Sequence, residues 1–309
     1  MISRAAVENY SRLVSLLDAD GKRRMSAELA AVDWSNPDAA LRECVNITTR
    51  YCTQYTEYAS VIASQFYETC REAETGIRTF EAIAGSHHDP ASDEPAVYGM
   101  ANSILKNAGE GVTFANDQAA LDAFEREVKH RLGASIRSEC IETVYSNGRR
   151  DPLRPRYARV PVSTGSTYGH NPGQTHNGFL ASHGTCAFCD MLASRGFVYW
   201  SAESASVGSH THDGCDCKTV PGFGRNPTVE GYDPSDYEAG YDEYRSQNHE
   251  VHDERTRERQ RNKWREGYLV AGSGERVDEK DTYTEEERRR VFMQARAQAG
   301  DTMRGTKRK

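Results

Sequence analysis

The chain has 309 residues, 37% hydrophobic and 28% charged, with a formal net charge of -7 and a mean hydropathy of -0.78. No apolar run reaches the roughly 20 residues that a membrane-spanning helix needs, and the negative balance excludes a protein whose whole surface grips nucleic acid. That length leaves room for about two domains, and the polarity suits elongated helices, exposed arms and tails better than one compact ball.

From Met1 to Tyr10 the sequence enters an amphipathic pattern directly, without the apolar stretch of a signal peptide. A protein made in the cytoplasm is therefore expected. Thiols stay reduced there, so closely spaced cysteines read as metal ligands or redox groups before they read as disulfides.

The first 148 residues read as a helical domain. Residues 3–31 carry Val7, Tyr10, Val14 and Leu17 at helical spacing. The next helix has a clear start: Asn36 caps, Pro37 suits the first helical position, and Asp38 suits the positive end of the dipole. Leu41, Val45, Thr48, Cys52, Tyr55, Ala59, Ile62 and Phe66 then form a heptad seam. Carried over 38–72, the seam makes a rod about 50 Å long. Tyr51 and Tyr58 widen the stripe, which predicts packing against one or two other helices.

Residues 85–95 read as a loop. It holds His87, His88 and Asp89, but adjacent side chains in a loop seldom converge on one ion, so no metal site is expected there. Helices follow at 96–108 and 117–144, the second with Leu121, Phe124, Val128, Leu132, Ile136 and Cys140 on one face. Asn147-Gly148 reads as the end of the helical region. Cys44, Cys52, Cys70 and Cys140 sit singly in these patterns and read as small core residues.

Residues 149–160 read as a basic Pro/Arg linker. Arg149, Arg150, Arg154, Arg156 and Arg159 make it either a solvated connection or a strip facing phosphate or an acidic partner. Residues 161–225 read as a small α+β domain rich in Gly, Ser, Thr, His and Cys, with β-prone pieces at 197–200 and 218–220. The remainder, 226–309, reads as a polar, charged, partly helical tail. Helical stretches are expected at 249–266 and after the capping box of Thr284 and Glu287.

Chemistry concentrates in the middle segment. Cys186-Ala-Phe-Cys189 is followed, after residues 190–211, by His212-Asp-Gly-Cys215-Asp-Cys217. Two residues spaced i, i+3 around a tight turn can aim both side chains at one ion. Two such pairs supply the soft and imidazole ligands that zinc takes in tetrahedral array. Cys186, Cys189, His212 and Cys215 are the preferred set; Cys217 competes for a place or sits beside the cluster as a core thiol. Four protein ligands leave no position for an activated water, so the Zn2+ would be structural and the protein not an enzyme.

Rival readings are a C-x-x-C dithiol oxidoreductase, a metal-dependent hydrolase, and a nucleic-acid-binding zinc module. Deaminase chemistry needs His-x-Glu where His183-Gly-Thr stands. His249-Glu-Val-His252 is one residue short of a metalloprotease motif.

Three stretches resemble a known family. They are Tyr157-Ala-Arg-Val-Pro161, the run from Thr185 through Cys186 and Cys189 to Tyr199, and the run from His212 through Cys215 and Cys217 to Pro221. Together with Val229-Glu-Gly-Tyr-Asp-Pro234 they resemble the Mu F-like minor capsid, or head morphogenesis, proteins of tailed bacteriophages, in the version found in phages and prophages of actinobacteria. The resemblance covers 157–234; over the N-terminal helices it is architectural only. It implies a mostly helical N-terminal region paired with a small zinc-stapled domain; with the charged, partly helical tail read from composition, the expected fold is a mainly α protein with an elongated helical region. It also implies a virion component in the capsid interior or at the portal vertex, serving head assembly or genome delivery. Expected partners are the portal protein, other head proteins and packaged DNA touched through local basic strips, with no membrane and no small-molecule substrate.

Overall fold

The computed structural model describes residues 1–162, 192–201 and 217–237, together with the backbone of 268–269 and 276–277. The chain divides into two compact units, 1–242 and 243–309. In the second, β3 (Tyr268–Leu269) pairs antiparallel with β4 (Arg276–Val277). The helices expected at 249–266 and after Thr284 lie outside the described residues.

The first unit is mainly helical, as the patterning predicts. Its helices are α1 (Arg4–Leu29), α2 (Pro37–Thr75), α3 (Asp93–Ala108) and α4 (Gln118–Arg150). Local chemistry sets their starts: the side chains of Ser3, Asn36 and Asp117 accept from the amides of Ala6, Ala39 and Ala120. Gly76 ends α2 in the left-handed region, φ 68°, a conformation that costs glycine nothing.

α2 is the central wall, packed against α1, α3 and α4. Its stripe buries Thr48, Cys52, Tyr55, Ala59, Phe66 and Tyr51, with Leu41, Val45 and Ile62 partly buried, while Tyr58, expected to widen it, is exposed. Tyr10 of α1 stacks on Phe66 of α2 with ring centroids 4.0 Å apart. Gly21 lets α1 approach, because a Cβ there would lie 2.9 Å from the Tyr55 ring and 3.0 Å from Leu132. Cys44, Cys52, Cys70 and Cys140 are all buried, as expected of core residues.

The helices run further than their sequence punctuation suggests. α3 starts at Asp93 because Pro95 falls in its first turn, where no amide is donated to the helix. α4 passes through Asn147-Gly148 to Arg150. Asn147 is buried and spends its side chain on Ile83 and on the Thr143 carbonyl. Gly148 makes room for Tyr157, whose hydroxyl would sit 1.7 Å from an added Cβ. The Asn-Gly pair serves packing, and makes no turn.

The basic linker expected at 149–160 is corrected on the same grounds. Arg149 and Arg150 form the last turn of α4, at the end of the dipole that favours cations. Asp151 is buried against Arg71, Nε to Oδ2 2.7 Å. From there β1 (Arg156–Pro161) runs antiparallel to β2 (Cys217–Gly222), in a register that sets Tyr157 opposite Pro221 and Val160 opposite Lys218. Tyr157 also exchanges backbone hydrogen bonds with Tyr199, at 2.8 and 3.2 Å.

Tyr157, Val160, Val162, Val220 and Phe223 join one apolar core with the helices. Burying each such side chain contributes about 1.5–3 kcal/mol. The first residues of the expected tail belong here too. Val229 pairs with Ile2, while Tyr232 and Tyr237 are buried.

Candidate functional site

Between α2 and α3, residues 76–89 lie across α2 and α4 as an extended strap. With few apolar side chains to bury, it is held by polar groups that capture its backbone. Glu68 accepts from the Ala82 amide at 2.7 Å. Asn147 takes both the amide and the carbonyl of Ile83, at 2.8 and 2.9 Å. The hydroxyls of Thr56 and Ser86 meet at 2.7 Å. Phe80, the strap's aromatic anchor, lies beneath the guanidinium of Arg71, 5.0 Å from the ring centroid.

The strap ends in two histidine–carboxylate pairs. Glu139 of α4, 2% exposed in its side chain, accepts from the His87 amide at 2.6 Å and lies 2.8 Å from His87 Nδ1. Thr143 donates to the same carboxylate at 2.9 Å. His88 Nε2 lies 2.9 Å from Asp93 Oδ2, and Arg131 of α4 donates to Asp93 Oδ1 at 2.7 Å. Asp93 is wholly buried. Every oxygen of the two carboxylates therefore has a partner, as burial of charge demands. A cleft of about 680 Å³ opens beside them, lined in part by His87, His88, Glu127, His130, Arg131 and Glu142.

His87, His88 and Asp89 do not converge on one point. The two imidazoles turn to different carboxylates, and Asp89 caps the helical turn of Pro90–Ser92. Among the described residues, the metal-ligating groups that do converge are Cys52, His88 and Asp93, with one donor atom from each within 4.8 Å of the others. Burial, with the Asp93 charge adding to it, pushes the Cys52 thiol up to about 12, the opposite of what a nucleophilic cysteine requires.

Sequence reasoning missed Asp93, Arg131, Glu139 and the placement of Cys52 beside His88 and Asp93. The one available signal was Glu139 itself, a charge on the helix face that also carries Ile136, Cys140 and Thr143, all buried.

Of the residues singled out in the sequence, Cys186, Cys189, His212 and Cys215 lie outside the described residues. Cys217 opens β2, is 6% exposed, and lines a cavity of about 20 Å³ with Tyr10 and Cys140. The five arginines do not make one strip. Arg149, Arg150 and Arg154 are exposed; Arg156 is half-buried and donates to the Arg225 carbonyl at 2.6 Å. Arg159 is 4% exposed, beside the Thr219 hydroxyl.

The first unit is thus a mainly helical body onto which a polar strap and a two-stranded sheet are fastened. A family model described as VG15 protein matches residues 1–165 and 173–244, well over half of the chain. The chain belongs to this VG15 family, a family of phage proteins. No curated protein and no solved structure matches it. Among the described residues no helix is long and apolar enough to cross a membrane.

Proposed function

We propose that the protein is a structural, non-catalytic component of the phage head, a minor capsid or head morphogenesis protein of the Mu F-like type. It acts at the portal vertex and in the head interior, in capsid assembly or genome delivery. One observation carries this reading: the VG15 match runs through the helical body and on through 173–244, and so takes in the stretches within 157–234 that resemble the Mu F-like proteins. Long helices such as α2, with 39 residues, offer docking surfaces to portal and other head proteins. Arg149 and Arg150, exposed at the end of α4, and Arg154, exposed beyond it, are the local basic groups that would face packaged DNA.

A structural Zn2+ held by Cys186, Cys189, His212 and Cys215 is part of the proposal. A segment this rich in Gly and Ser has few apolar residues with which to fold unaided. Cys217 then serves as a core thiol of β2 and supplies no ligand.

The test is the protein content of gradient-purified phage particles. Mass spectrometry should find the chain at low copy, and particles grown without it should be malformed or non-infectious. Absence from particles, with abundance in the infected-cell lysate, overturns the reading. Replacing Cys186 and Cys189 by Ser should lower the zinc content by one ion per chain and open 163–216 to protease while α1–α4 survive. Unchanged zinc content and unchanged protease resistance would sink the metal assignment.

A further inference from the structure

We propose that Cys52, His88 and Asp93 form a second metal site, for a divalent ion of the zinc type, that staples the end of the strap to α2 and α3. The three donors come from three separate elements and converge within 4.8 Å. Cys52 and Asp93 are wholly buried, and the His88 side chain is 7% exposed. Sulfur, imidazole and carboxylate are the donors that zinc accepts, at about 2.3, 2.0–2.1 and 2.0–2.2 Å. Ligand atoms in such a tetrahedron stand about 3.3–3.7 Å apart, so the present spacing calls for shifts of about 1 Å or less.

The surroundings support a ligand set better than a simple ion pair. Arg131 takes Asp93 Oδ1 and Ser92 Oγ, at 2.7 and 2.8 Å, which orients the carboxylate and leaves Oδ2 toward His88. A neighbour that holds the remaining oxygen in this way is the usual outer support of a metal-bound carboxylate. Charge balance between Asp93 and Arg131 is complete without His88, yet the strap delivers His88 to the same oxygen at 2.9 Å. Of the three donors, His88 lines the cleft, beside Arg131 and Ser135, so an ion has a route to the site from that side.

Binding is balanced as follows. The ion replaces the proton shared by His88 Nε2 and Asp93 Oδ2, and that proton moves to His88 Nδ1. The Cys52 thiol loses its proton to solvent and becomes the thiolate ligand. The ion then joins the strap, α2 and α3 at one point.

The experiment uses the full metal-free chain titrated with Co2+, whose thiolate charge-transfer absorption reports a cysteine ligand, and then with Zn2+. In a chain carrying Cys186→Ser, Cys189→Ser and Cys215→Ser, one Co2+ per chain with that absorption should remain. Adding Cys52→Ala should abolish the band, and His88→Gln should weaken binding at least tenfold. A band that survives Cys52→Ala, or no cobalt bound, overturns the proposal. Because these variants bear on folding, the unmutated chain supplies a second reading. Zn2+ should shift the His88 imidazole 15N resonances and leave those of His130 in place. Unmoved His88 resonances at saturating zinc overturn the site, whatever the Cys186 cluster does.

Discussion

Two non-helical regions are fastened to the same helices by opposite means. The strap, 76–89, is caught by side chains that reach out from α2 and α4 to its backbone, and its two histidines end on buried carboxylates. The β1–β2 pair bonds backbone to backbone, strand to strand and from Tyr157 to Tyr199, and gives its side chains to the core. A segment with few apolar residues can therefore be ordered if the helices carry its hydrogen-bond partners. One that makes its own ladder needs only apolar contact.

The two regions meet at Asp151, and that is where the contrast breaks most easily. Its carboxylate takes Arg71 Nε at 2.7 Å and the Tyr67 hydroxyl at 3.0 Å, while Arg71 also donates to the strap carbonyl of Ile77 at 3.0 Å. Asp151→Ala leaves a buried guanidinium unpaired and should cost about 3–5 kcal/mol. Urea unfolding of the full chain checks this, and a loss under 1 kcal/mol would sink the account.

Gly148→Ala should come next, at about 1–3 kcal/mol, by forcing α4 and β1 apart. Tyr157→Phe removes the clashing hydroxyl and should return part of the loss in the double variant. If it returns none, the close approach is not the cause. Asn147→Ala should cost about 1–2 kcal/mol and act on the strap alone. Hydrogen exchange should quicken at the Ile83 amide and stay unchanged across β1–β2.

The core cysteines should be silent. Burial pushes the thiols of Cys44 and Cys52 up to about 12 and that of Cys140 up to about 11. A thiol-reactive dye at neutral pH should therefore label none of them before unfolding. Raised values imply stability that is complete below the ordinary thiol range and is lost as pH climbs through 11 to 12.

The smallest effect belongs to Asp20. Hydrogen bonds from Tyr55, Arg24 and Arg23 lower it from 3.8 to about 2. Its contribution is present above 3.8 and fades as pH falls toward 2. Asp20→Asn should flatten the acid limb of the stability curve slightly, and an unchanged limb would dismiss the group.

The helices were legible because caps, periodicity and apolar stripes all point the same way, as at Asn36, Pro37 and the seam to Phe66. β1 was hidden by composition: arginine and proline at 149–160 read as a solvated strap, yet Tyr157, Val160 and even Arg159 are buried. Asn147-Gly148 carries the usual signature of a turn, and only the packing of Ile83 and Tyr157 against it reveals another use. The histidine cleft was half visible. His87 and His88 stand out in the sequence, but their partners come from α3 and α4, and no local spacing announces Asp93 or Glu139.

The register of β1 against β2 has a kinetic consequence. Short connections join α1 to α2 and α3 to α4, whereas the strands can meet only after all of 162–216 has looped back. Each doubling of such a loop adds about 0.6 kcal/mol to the entropy of closure. The helical body can therefore assemble early, with the sheet closing on it late and opening first. An ion that gathers Cys186, Cys189, His212 and Cys215 would shorten that search before the strands pair. Its presence should register as faster sheet closure, with the earlier helical phase unchanged.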